Sequence, residues 1–164
     1  MSGIDQFSGY EVIRAAMEVE KKGRDFYRAM VQRAGDTVAK NVFIQLADDE
    51  IQHLKTLNTL LEKYQDSSFW EQEPEFVPYL RLFNEEATFP SVDALDEALQ
   101  GEHPDLAAID LAVAAERKFA NFFTRVTAIA KTAEGTKAFK WLAEEEERHA
   151  QLLLGRRSFL LRAS

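Results

Sequence analysis

Apolar residues return every three or four positions through four long stretches of this chain, a spacing that places them on one face of an α-helix. The first stretch carries Ile13, Ala16, Met17, Gly23, Tyr27, Met30 and Ala34 on one stripe, and the second carries Val42, Leu46, Leu57, Leu60 and Tyr64. A third runs through Ile109, Val113, Phe119, Phe123, Val126 and Ala130, and a fourth through Phe139, Leu142 and Leu153. Polar residues break into every stripe: Glu20 in the first, Glu50 and His53 in the second, Glu116 in the third, Glu146 and His149 in the fourth.

Punctuation sets the predicted helix ends. All four prolines (Pro74, Pro78, Pro90 and Pro104) fall in one central stretch, leaving long proline-free blocks on either side. Ser8 with Glu11 makes a capping-box pattern, so the first helix is predicted from about residue 9 to Ala34. A turn at Gly35 and Asp36 follows, and Asp36 is placed to cap the second helix. Pro104 and Asp105 suit the first turn of a third helix reaching about Lys131, with Thr132 placed to cap the fourth.

The two blocks correspond. Shifted by 96 residues without a gap, Glu20, Glu50 and His53 become Glu116, Glu146 and His149. Ile13/Ile109, Ala16/Ala112, Phe26/Phe122, Phe43/Phe139, Leu46/Leu142, Ala47/Ala143 and Leu57/Leu153 obey the same shift. Two helical hairpins at about 9–65 and 104–162 are expected, joined by a crossover at 66–103 that is too long for an ordinary loop. Short turns make the helices of each hairpin antiparallel, and the crossover leaves the second and third helices roughly parallel. Within it, 91–100 reads as a short helix with Val92, Leu95 and Leu99 toward the bundle, while Trp70, Phe76, Val77 and Tyr79 are placed to cover a bundle end. The fold class expected is all-α, one four-helix bundle with a single long crossover.

Composition narrows the function. At 164 residues with 46% apolar content, the chain suits one domain with a real core. A formal charge of -8 and a pI near 5.0 disfavour nucleic acid and anionic membranes as partners. No run approaches the roughly 18 apolar residues of a membrane span, and Met1 to Phe7 lacks the pattern of a secretory leader, so a cytoplasmic location is expected. Absence of cysteine excludes disulfides, thiolate nucleophiles and cysteine-held iron from these residues.

Six polar groups on buried stripes need a reason. An ionised carboxylate taken from water loses several kcal/mol even after relaxation, and four that converge also repel one another. They must take up protons or hold cations. Two divalent ions balance four glutamates with both imidazoles neutral, so the set favours two metals over one. Glu and His at i and i+3 point the same way, letting the second and fourth helices each offer an oxygen and a nitrogen to a shared point. This oxygen-rich, thiolate-free set suits iron or manganese better than copper, with zinc still compatible.

In these motifs the chain resembles the ferritin-like superfamily of di-iron carboxylate proteins, within it the rubrerythrin-like branch. The matching text is Glu20 in MEVEKKGRDFY, Glu50 and His53 in DDEIQHLKTL, Glu116 in AAERKFANFF, and Glu146 and His149 in EEEERHAQLL. The resemblance implies two iron ions that react with dioxygen or peroxide, Glu50 and Glu146 bridging, Glu20 and Glu116 as terminal ligands, and His53 and His149 each on one iron. Tyr27 is a candidate outer partner of a ligand carboxylate. Asp49 and Glu145, each one residue before a ligand glutamate, are read as surface positions rather than as groups that orient the imidazoles. His103 reads as a loop residue.

Two departures from the family matter. Rubrerythrins typically carry a cysteine-held rubredoxin domain that feeds electrons to the centre, and an additional glutamate one turn after the third-helix ligand, where this sequence has Phe119. A peroxidase would therefore need an external electron donor. The expected function is an oxidoreductase acting on ferrous iron, peroxide or dioxygen, with iron sequestration or delivery as an alternative and a metal-stapled structural bundle as a third reading. A homodimer is implied by the resemblance, with the apolar tail Ser158 to Leu161 extending the fourth helix as a candidate contact.

Overall fold

In the computed structural model, residues 9–35, 37–62, 90, 92–129 and 133–163 are described. Among them every regular element is an α-helix: α1 (Gly9–Arg33), α2 (Thr37–Glu62), α3 (Val92–Ala98), α4 (Pro104–Ile129) and α5 (Ala133–Ala163). The four long helices match the four predicted ones, and α3 is the short helix expected within 91–100. Pro104 and Asp105 open α4, where the missing proline N–H forfeits no helical bond and the acid faces the positive end of the dipole. The proposed caps Ser8, Asp36 and Thr132, together with Tyr64, Ala130 and the aromatic group Trp70, Phe76, Val77 and Tyr79, lie outside the described residues.

Helix α1 packs along α2 and α4 along α5, and the two hairpins meet through α2 and α5. Asp49 approaches His149 while His53, one turn further along α2, approaches Glu145 one turn earlier along α5. The two helices are thus antiparallel. Since α4 is antiparallel to α5, α2 and α4 run the same way, as the long connection between them requires.

The apolar stripes form the core. Leu46, Leu57, Leu142 and Leu153 have no exposed surface, and Phe119, Phe122, Phe123, Ile13, Met30 and Ile109 are almost as deep. Each such side chain contributes about 1.5–3 kcal/mol by leaving water. That is the reservoir that offsets the burial of acids at the centre. Helix α3 lies on α4, seating Leu95 in the core with Leu99 against it. Arg33 at the end of α1 holds Asp96 at 2.7 Å, tying α3 to the first hairpin. Helix α5 carries the tail as predicted, leaving Phe159 and Leu161 about half exposed.

Candidate metal centre

Each sequence-predicted inward residue reaches the same place. Glu20, Glu50, His53, Glu116, Glu146 and His149 are all 1% exposed or less. The Glu-x-x-His spacing sets each imidazole one turn beyond its glutamate, and antiparallel α2 and α5 present the two motifs to each other in mirror order. His53 Nδ1 lies 3.0 Å from Glu146 Oε1, 3.2 Å from Glu20 Oε2 and 3.9 Å from Glu50 Oε2. His149 Nδ1 lies 3.1 Å from Glu50 Oε1, 3.3 Å from Glu116 Oε1 and 3.5 Å from Glu146 Oε2. The imidazole rings stack, 5.3 Å between centres.

Besides a group of His53, His149 and the half-buried Glu145, two overlapping and fully buried groups of side chains converge closely enough to surround a metal ion: Glu20, Glu50, His53 and Glu146, and Glu50, Glu116, Glu146 and His149. Glu50 and Glu146 belong to both. One helix pair thus supplies the shared carboxylates and both imidazoles, and the other pair supplies one glutamate to each group.

Charge in this cage is strongly coupled. Burial drives the carboxyls of Glu20, Glu50 and Glu116 well above the usual carboxylate range, and repulsion from Glu146 adds to the effect. Glu146 takes the opposite direction: burial raises it too, but the neighbouring Glu116 carboxyl and the charge of His53 outweigh burial and hold it well below the usual range. Burial opposes a proton on His53, yet the Glu146 charge prevails and lifts it to about 9. His149 is raised as well: burial opposes its proton, but hydrogen bonds with Asp49 and the cage glutamates outweigh burial. Without metal the cage is thus driven toward taking up protons rather than holding four free anions.

Carboxylate oxygens from all four glutamates are buried without a hydrogen-bond partner in the structure. Orphaned acceptors at that depth are rare, since each forfeits its hydration for nothing in return. Four carboxylates and two imidazoles, with acceptor atoms unclaimed, fit a pair of divalent ions.

The outer surroundings were read less well from sequence. Asp49 is not a free surface group: its Oδ2 lies 3.2 Å from Nε2 of His149 across the bundle, and that bond pulls its pKa down. Glu145 likewise faces His53, at 3.6 Å from Nε2. The expectation of surface positions fails because α2 and α5 pack so closely that one residue before each ligand still lies over the opposite imidazole. Both acids are held by Arg148, whose Nη2 is 3.0 Å from Asp49 Oδ2 and 2.8 Å from Glu145 Oε2. Glu144 and Glu147 are exposed, and so is His103, read from sequence as a loop residue.

Tyr27 is fully buried and donates its hydroxyl to Glu116 Oε1, on the opposite hairpin from the Glu20 whose stripe it shares. Sequence reasoning missed Arg148 and Trp141, whose ring meets His53 edge-on at 5.2 Å between centres. Only the phase of Trp141, two turns before His149 on α5, hinted at its place.

Fold and site together define a helical-bundle protein with a buried carboxylate and imidazole cage arranged for two metal ions. The rubrerythrin family model matches residues 11–155, and the chain belongs to that family. No curated protein and no solved structure matches the chain significantly. No described helix is long and apolar enough to cross a membrane.

Proposed function

We propose that this protein is a non-haem di-iron oxidoreductase that oxidises ferrous iron or reduces peroxide or dioxygen at the four-glutamate, two-histidine cage. The observation that carries the reading is the sharing of Glu50 and Glu146 between two fully buried ligand groups, where an imidazole nitrogen approaches each of them. Glu20 and Glu116 would each serve one ion, as would His53 and His149, whose Nδ1 atoms face the carboxylates. An adjacent pair of irons supplies two electrons, which matches the demand of cleaving an O–O bond.

The protein's own share of the chemistry is positioning, exclusion of water and control of protons. Nε2 of His149 donates to Asp49, leaving the Nδ1 lone pair free for metal. Leu46, Leu57, Leu142 and Leu153 keep the cage dry on the bundle axis. Tyr27 holds a proton whose release burial and the Glu116 charge disfavour, so it acts as a donor to Glu116 rather than as an acid. Phe119 stands one turn after Glu116 and brings no further carboxylate to the cage. With no cysteine in these 164 residues, reductant for a peroxidase comes from outside this domain.

Loading the metal-free protein anaerobically with isotopically enriched ferrous iron and recording Mössbauer spectra before and after peroxide or air tests the reading. Conversion to a coupled ferric pair is the expected result. Iron that binds but remains ferrous under both oxidants would leave a sequestration protein instead.

A further inference from the structure

Equivalent residues around the cage do not have equivalent surroundings. Tyr27 stacks on Phe43 at 6.2 Å, and Phe123 stacks on Phe139 at 6.3 Å, each pair 96 residues from the other. Phe26 meets Tyr27 edge-on at 5.5 Å, as Phe122 meets Phe123 at 5.6 Å. The aromatic frameworks coincide ring for ring. Only Tyr27 carries a hydroxyl, and it is bonded to Glu116; no described hydroxyl makes the corresponding bond to Glu20, although each of these two glutamates keeps one oxygen without a hydrogen-bond partner.

The imidazoles diverge in the same sense. His149 Nε2 is bonded to Asp49, whereas His53 Nε2 has no hydrogen-bond partner and looks at Glu145 from 3.6 Å. Arg148 explains the gap. Its guanidinium grips Glu145 twice, through Nη2 at 2.8 Å and Nε at 3.2 Å, and touches Asp49 once. The doubly held Glu145 stands 3.6 Å from its imidazole, beyond hydrogen-bond reach, while Asp49 keeps its bond at 3.2 Å. Both terminal glutamates meet their imidazole, at 3.2 Å for Glu20 with His53 and 3.3 Å for Glu116 with His149, but only the His149 side adds an outer hydrogen bond to each of the two groups.

We infer that the two metal positions are unequal and fill in order: the ion held by Glu50, Glu116, Glu146 and His149 binds first, and the ion held by Glu20, Glu50, His53 and Glu146 binds second. Tyr27 and Asp49 act as positioning residues for the first. This rests on the reading that the cage takes two ions. Fixing a ligand beforehand removes the ordering penalty from binding, and an outer partner that orients a ligand typically changes metal affinity about 10- to 100-fold. Two such partners on one side and none of equal quality on the other predict a first step about 100-fold tighter than the second.

Titration of the metal-free full chain with Mn2+, followed by electron paramagnetic resonance, reads the steps directly. One equivalent should give the signal of isolated bound ions, and a second should replace it with an exchange-coupled signal. His149→Ala should lose the tight step, whereas His53→Ala should keep it and lose the weak one. Tyr27→Phe and Asp49→Ala should each weaken the first step about 10-fold and leave the second unchanged. These two variants keep all six cage residues, so they decide the matter even if a histidine variant does not fold. Coupled signal from the first addition onward, loss of the tight step in His53→Ala, or equal weakening of both steps by Tyr27→Phe and Asp49→Ala would overturn the order while leaving the two-ion cage intact. Failure of the wild-type chain to bind Mn2+ and Fe2+ at all would remove both.

Discussion

The α1–α2 hairpin and the α4–α5 hairpin bring Glu20, Glu50 and His53 and their counterparts Glu116, Glu146 and His149 to the same depth, but one position outward the resemblance stops. Tyr27 faces a phenylalanine counterpart at 123, Gly23 a phenylalanine at 119, and Gln52 an arginine at 148. The difference shows where the constraint lies. A cage of four buried acids tolerates no missing member, since any vacancy leaves an unbalanced charge in low dielectric. Outer positions need only avoid disrupting the packing, so they are free to make the two metal positions differ.

Removing what the two halves share should have the largest effect. The double variant Glu50→Gln, Glu146→Gln takes one carboxylate pair from both groups and should abolish the coupled metal signal altogether. In wild type, metal at 100 times its Kd adds about 2.7 kcal/mol to stability, a gain that calorimetry should no longer find in the variant.

Proton release is the next effect in size and tests the cage as a whole. Glu20, Glu50, Glu116 and His53 have raised folded-state values, so each favours the native metal-free protein below its unfolded value, and that contribution is lost as pH rises through the folded value. For His53 the window runs from 6.5 to about 9. Metal must displace these protons, so loading at neutral pH in weak buffer should release protons in proportion to the ions bound, and affinity should fall on acidification. Absence of proton release would mean that the carboxylates are already ionised.

Adding the missing hydroxyl sharpens the contrast between the halves. Phe123→Tyr copies Tyr27 onto the other aromatic framework and should tighten the second metal step by up to about 10-fold, read by the same manganese titration. An unchanged second step in a folded variant would show that ring position alone does not bring the hydroxyl to Glu20. The smallest effect belongs to Arg148→Met. Its ion pairs are largely exposed, so stability should change by no more than about 1 kcal/mol, while freeing Glu145 to meet His53 narrows the affinity gap a few-fold.

Helix count, hairpin pairing and all six cage residues were legible in the chain because each depends on relations within a helix. A face is defined by steps of three and four, and a Glu-x-x-His pair lies within one turn. Which outer group meets which imidazole depends on how far α2 slides along α5 and how each rotates, quantities that no local pattern encodes. Asp49 and His149 are 100 residues apart, and Tyr27 and Glu116 are 89 apart. Periodicity located the acids and imidazoles that face inward, but the different neighbours of Glu20 and Glu116, and of His53 and His149, came from helix packing, which alone chose them.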